Sequence, residues 1–293
     1  MRTWVVKRPV ASFYLLALVL SWGYWLGLLM YGQRVAPGST ATHFPGLLGP
    51  IIAALAVTAV IEGRNGVQKL FGRMVRFGSH WPSSLMLAVS PLALGALAFG
   101  AVGVLDKPFP SPSAFSHFPG LPESWPLAGV VASVLVVNGF GEEAGWRGFV
   151  TERLLLSHGR FRATLLVALL WSLWHLPLFW LNASMAALVG PVLVGWAFGL
   201  ACGAFVLAQV YLVAGRSILW VAVWHAAYNL MVATEAGAGL PAALVSTVVM
   251  VWGVIVAVLW WRAPPNDPTP NPSIEGTSNI WLRQLSAAPH VKR

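Results

Sequence analysis

The chain has 293 residues, of which 57% are hydrophobic and 9% charged, with 16 tryptophans and one cysteine. A soluble surface ordinarily carries about 25% charged residues, so the composition argues against a soluble enzyme, a disordered chain and a secreted disulfide scaffold. The net charge of +9 would suggest a nucleic-acid partner only if the basic residues clustered on a soluble face, so what matters is where along the chain the charges fall.

A membrane-spanning helix needs about 20 mostly apolar residues. Eight stretches of this kind are predicted, over Val10–Tyr31, Phe44–Ile61, Pro82–Leu105, Pro126–Gly141, Phe161–Leu181, Ala186–Ala214, Ser217–Val232 and Leu240–Trp261. The fourth and seventh are short and need helix to continue through polar residues. The first follows Arg2, Lys7 and Arg8 but carries Trp and Tyr and lacks a small-residue cleavage site, so it reads as an uncleaved signal anchor. Residues 263–293, rich in Pro, Asn and Ser, read as a disordered tail. The expected fold is all-α: a polytopic membrane bundle of about eight helices over residues 1–262, in contact with the bilayer.

Lys and Arg are retained on the cytoplasmic side of inserted helices. Eight spans place 16 of the 18 basic residues on the side of the two termini and leave only Arg34 and Lys107 opposite. Both termini are therefore expected in the cytoplasm, with the chain integral to a cell membrane, the inner one in a bacterium.

Ionisable groups within spans cost several kcal/mol by most scales and mark function by default. Five of the seven histidines fall in loops or the tail, leaving His175 and His225 in spans. Only Glu142 and Glu143 among the acids continue an apolar helix. Glu143 and Arg147 stand four apart in the favoured order for an ion pair, while Glu142 is turned about 100° away toward Asn138 and Trp146. Taken alone, this cluster also suits a helix end meeting the cytoplasm, where such charges are solvated. The fifth span pairs Trp171 with His175 and the seventh His225 with Asn229, each at spacing four. Counted from the expected span ends at 1.5 Å per residue, Glu142 would lie near the cytoplasmic surface, His225 roughly 12 Å deep and His175 roughly 21 Å deep.

Glu142 and His175 together can activate a water, and His225 with Asn229 offers N–H donors to the oxyanion formed when water attacks an amide. A metal reading uses Glu142, His175 and His225 as three ligands for a divalent ion such as zinc, with an open position for water. No Gly-x-Ser-x-Gly elbow is present.

The motifs Glu142-Glu143-x-x-x-Arg147, Trp171-x-x-x-His175 and His225-x-x-x-Asn229, in that order, resemble those of the CPBP intramembrane proteases, which include the type II CAAX prenyl endopeptidases and the Abi proteins. The resemblance covers about residues 126–232, the expected protease core, and implies an eight-helix bundle with its site in a cavity reached from the cytoplasmic side or the membrane. Glu142 and His175 would activate water there, His225 and Asn229 would stabilise the oxyanion, and Glu143 and Arg147 would orient them. Trp171 departs from the family's usual Phe. The resemblance implies a membrane endopeptidase acting on a peptide or membrane protein near the cytoplasmic membrane face, with metal-independent water activation as the preferred mechanism. A proton-coupled transporter and a non-catalytic scaffold or immunity protein are the alternatives.

Overall fold

The computed structural model describes residues 2–36, 39–105 and 109–263; Lys107 and the expected tail beyond Ala263 lie outside the described residues. After a short helix at Arg2–Lys7, the chain forms α1 (Pro9–Met30), α2 (Phe44–Met74), α3 (Trp81–Val104), α4 (Leu127–Leu154), α5 (Arg160–Leu181), α6 (Pro191–Val213), α7 (Ile218–Val232) and α8 (Leu240–Arg262). Seven are long and apolar enough to cross a membrane, and α7 is a shorter apolar helix. In hydrocarbon a helix satisfies its own backbone groups, so the chain is an all-helical integral membrane bundle. The described residues contain no strand, and Val35 and Asn182 make a lone backbone bridge.

Two boundaries differ from the sequence reading in ways that matter. Helix α2 runs on past Ile61 to Met74 through a kink at Gly63, whose φ of 64° favours glycine. Helix α4 does not stop at Gly141 but continues to Leu154, with wide π-type turns over Val134–Phe140 and Trp146–Thr151 on either side of Gly141–Gly145. The expected solvated helix end is therefore absent: Glu142 is 2% exposed, and Glu143 and Arg147 are fully buried. Glu142 lies about twelve residues from Leu154, roughly 18 Å along the helix, rather than near the surface. Hydropathy missed the extension because the charges that interrupt the apolar run point inward.

Helices α4 and α7 approach closely at Gly139, where a Cβ would fall 2.8 Å from the Ala222 carbonyl oxygen. That contact sets the two helices carrying Glu142, Glu143 and His225 side by side. Helix α5 is regular to Trp174, loosens at His175 and resumes at Leu178–Leu181. Pro177, two residues beyond His175, has no N–H and cannot continue the ladder. The core is rich in tryptophan, with Trp25, Trp146, Trp174 and Trp224 among its largest buried side chains. Several indoles tie helices together, as Trp25 donates to the His43 carbonyl (2.9 Å) and Trp174 to Ser21 Oγ (2.8 Å).

The two ends of the bundle are built differently. At one end Arg73, Glu152, Arg216, Arg153 and Glu62 form ion pairs between α2, α4 and the α6–α7 turn. Ser217 there caps α7 while donating to the Arg76 carbonyl (2.7 Å). At the other end loops with few charges knit together: Val35 bonds Leu181 and Ala183 through the backbone, Tyr24 donates to the Thr42 carbonyl, and Phe44 meets Phe118 edge-on. The His117–Glu235 pair is the ion pair of this end among the described residues.

Candidate active site

The carboxylates of Glu142 and Glu143 share a turn of α4 and face different partners. Glu143 Oε1 accepts from Arg147 Nη1 (2.8 Å) and sits 2.7 Å from His225 Nδ1 on α7. The expected i, i+4 pair thus forms, and it reaches across to hold a histidine of a second helix. Glu142 Oε2 accepts the indole N–H of Trp171 on α5 at 2.8 Å, which leaves its other oxygen for a water or substrate.

Trp171 lies at the centre of the constellation. Its indole N–H holds Glu142, its ring lies 4.8 Å beneath the Arg147 guanidinium, and its edges meet the rings of His175 and His225 at 5.5 and 5.7 Å. In the sequence Trp171 stands out as a departure from the family's usual Phe. The hydrogen bond to Glu142 is a role that a phenylalanine in the same place lacks.

His175 sits where α5 breaks. Its Nδ1 is 2.7 Å from the Trp171 carbonyl oxygen, which can only accept, so Nδ1 carries the proton and Nε2 presents a lone pair. Trp174 and Trp196 pack against the ring at 4.9 and 5.7 Å and hold its orientation.

Glu142, His175, His225 and Asn229 all line one cavity of about 360 Å³. Glu143 and Arg147 lie behind its wall, in contact with the site through His225 and Trp171. Further polar residues line the cavity, among them Asn138, named from sequence only as a neighbour of Glu142, and His43 and Tyr228, which sequence did not single out. Asn138, one helical turn before Glu142, is buried with its Oδ1 unpartnered within the protein. His43 comes from the α1–α2 loop, and burial pushes its imidazole down to about 4, leaving it neutral at ordinary pH with Nδ1 unpartnered. Tyr228 hydrogen-bonds Ser246 of α8 at 3.1 Å. Only Asn138 had a sequence signal, its spacing of four from Glu142; His43 stands in a loop whose folding over the cavity has no periodic signature.

The alternative ligand set Glu142, His175 and His225 lines the same cavity. Among the described residues no three His, Cys, Asp or Glu side chains converge as a ligand group. The indole occupies Glu142 Oε2 and Glu143 meets His225 Nδ1, so the other Glu142 oxygen and the Nε2 atoms of His225 and His175 are the ones such an ion would use.

Residues 123–231 match the family model for type II CAAX prenyl endopeptidase Rce1-like. Over 145 residues, 48% of this chain, the sequence is 29% identical to CAAX prenyl protease 2 of Methanococcus maripaludis. The chain spans about half the length of that curated relative, 51%. The matched segment is the one that carries all three motifs, so the resemblance to the CAAX protease family holds for α4 through α7.

Proposed function

We propose that this protein is an intramembrane endopeptidase that hydrolyses a peptide bond inside the cavity between α4, α5 and α7. The observation that carries the reading is the convergence of Glu142, His175, His225 and Asn229, from three helices, on one lined space, within a segment similar to the Rce1-like proteases.

Water bound between Glu142 and His175 Nε2 gives up a proton to one of them as its oxygen attacks the amide carbon. Charge develops on the carbonyl oxygen, where Asn229 Nδ2 and His225 Nε2 donate. With Nδ1 donating to the Glu143 carboxylate, Nε2 can donate as well only when His225 is an imidazolium, for which Glu143, itself steadied by Arg147, supplies the countercharge. The C–N bond then breaks, the new amine takes the proton held by Glu142 or His175, and the carbonyl re-forms as a carboxylic acid. Trp171 fixes the Glu142 carboxylate in place throughout.

The substrate proposed is a peptide or a segment of a membrane protein; the relative's name refers to prenylated CAAX proteins, and that chemistry is one member of the class. The test compares the peptides of cells expressing wild type with those expressing Glu142→Ala, then repeats the cleavage with purified protein with and without a chelator. Loss of specific products in the variant and their return with purified wild type are expected. Full activity in Glu142→Ala overturns the assignment, and abolition by chelator would move the water onto a metal.

A further inference from the structure

We propose that a second cavity, at the basic end of the bundle between α2 and α4, binds the phosphate headgroup of an anionic glycerophospholipid. It is separate from the candidate active site and does not depend on the reaction assigned there.

The cavity encloses about 610 Å³. Lys69 and Arg73 of the last turns of α2, Arg76 just beyond them and Arg153 of α4 line it, and Glu62 and Glu152 are the acids of the lining. Four cations against two carboxylates leave a surplus of two positive charges. Both carboxylates are already engaged, Glu62 by Arg153 (2.6 Å) and Glu152 by Tyr211 and Arg216 (3.0 Å each). Arg73 is held in part by Tyr211 Oη and the Gly148 carbonyl (2.9 and 2.8 Å). Lys69 and Arg76 are exposed, and their side chains make no hydrogen bond or ion pair among the described residues. An anion that enters therefore meets open N–H donors and displaces no carboxylate.

The surroundings select among anions. Phe71, Val75 and Phe77 lie between and beside these basic residues in the chain and are exposed, as is Leu156 of the cavity lining (86%). Exposed apolar side chains interleaved with cations mark the boundary of hydrocarbon and headgroups, where long basic side chains reach the phosphates. A soluble anion would use the cations and leave the apolar side chains without a partner, whereas a phospholipid offers phosphate to the first and acyl chains to the second. Basic pockets between transmembrane helices suit anionic headgroups. A zwitterionic lipid carries its own ammonium and does not balance the surplus. Because the donors come from both α2 and α4, a phosphate held by them joins the two helices, and binding to the folded chain alone raises its stability.

The test follows the thermal unfolding midpoint of the full chain in dodecyl maltoside micelles, titrated with dioleoylphosphatidylglycerol, dioleoylphosphatidylcholine or inorganic phosphate. A saturable rise with phosphatidylglycerol alone is expected. In Lys69→Gln/Arg76→Gln the concentration giving half of that rise should increase about 30-fold, about fivefold for each basic residue lost, with the lipid-free midpoint unchanged. Arg64→Gln/Arg162→Gln removes as much charge from exposed residues outside the lining and should titrate as wild type does. Equal weakening in the two double variants overturns the proposal, because the attraction is then a diffuse surface field. No rise with phosphatidylglycerol overturns it too, as does a rise of the same size with phosphatidylcholine or with inorganic phosphate. Where Lys69→Gln/Arg76→Gln does not fold, Lys69→Gln alone decides: weakening of about fivefold supports the site, and an unaltered titration refutes it. The readout is stability rather than cleavage, so the result is separable from the Glu142→Ala test of the protease reading.

Discussion

Two carboxylate–guanidinium clusters occupy this protein, and they are built on opposite terms. At the basic end, Glu62 pairs with Arg153 (2.6 Å), and Glu152 with Arg216 and Arg73 (3.0 and 3.6 Å). Those side chains keep some contact with the surroundings, with Glu62 45% exposed, and extra bonds to Tyr211 and backbone carbonyls complete them. In the core, Glu143 and Arg147 are wholly enclosed, yet Glu143 Oε2, Arg147 Nε and Arg147 Nη2 have no hydrogen-bond partner within the protein. A buried pair left partly unsatisfied costs desolvation energy and is weak support for stability. The difference separates an arrangement that joins helix ends from one retained for what it holds, namely His225 and, through the ring of Trp171, Glu142.

If the core cluster exists for chemistry, the largest effect should come from the carboxylate it positions, Glu142. Glu142→Gln keeps the shape and an acceptor for the Trp171 N–H but removes the base, and peptide cleavage should fall by about 10²–10⁴-fold with the protein still folded. Thermal unfolding of the variant, followed in detergent beside the rate, checks that the loss is chemical. Arg147→Met should act on the fold instead: stripping the partner from a buried carboxylate typically costs about 3–5 kcal/mol. Reduced yield and a lowered unfolding midpoint are expected, and a fully stable Arg147→Met would show that Glu143 is not held as an ion there.

Two smaller changes sharpen the contrast between holding and reacting. Asn229→Ala should slow turnover by about 10²–10³-fold through loss of one oxyanion donor, with KM little altered; an effect confined to KM would make Asn229 a substrate contact. Trp171→Phe removes the indole N–H while keeping a ring near Arg147 and both histidines. A hydrogen bond to a charged group is worth about 1.5–3 kcal/mol, so a fall in kcat of roughly tenfold or somewhat more is expected, together with a shifted acidic limb of the pH–rate profile. Unchanged kcat and pH profile would reduce Trp171 to a wall of the cavity.

The bundle was readable from composition because hydrocarbon leaves the backbone few alternatives, and seven long apolar helices with a shorter α7 follow from the apolar runs. The chemistry-bearing residues were readable for the reason that charge is scarce in this chain: Glu142, Glu143, His175 and His225 stand out within apolar segments. What sequence did not disclose depends on contacts between segments. The continuation of α4 to Leu154 was hidden because Glu142, Glu143 and Arg147 look like a helix end until their partners on α5 and α7 are in place. The hydrogen bond from Trp171 to Glu142 spans 29 residues, and the covering of the cavity by His43 and Phe118 comes from loops whose positions no periodicity specifies. The π-type turns around Gly141–Gly145 likewise have no signature in a period of 3.6.

The weakest effect expected belongs to the other cluster. In Glu62→Gln the carboxylate opposite Arg153 is lost, but the guanidinium keeps its place 3.6 Å over the Phe149 ring and its bond to the Phe149 carbonyl (3.3 Å). No charge is stranded in a dry site, and exposed pairs measured by double-mutant cycles contribute about 0.2–1 kcal/mol. The unfolding midpoint of Glu62→Gln should therefore stay close to that of wild type and its cleavage rate unchanged. Added salt should narrow even that small gap, since the pair is open to screening. If Glu62→Gln instead destabilised the protein as much as Arg147→Met, the basic end would be as essential to the fold as the core cluster, and the division between a joining cluster and a holding one would fail.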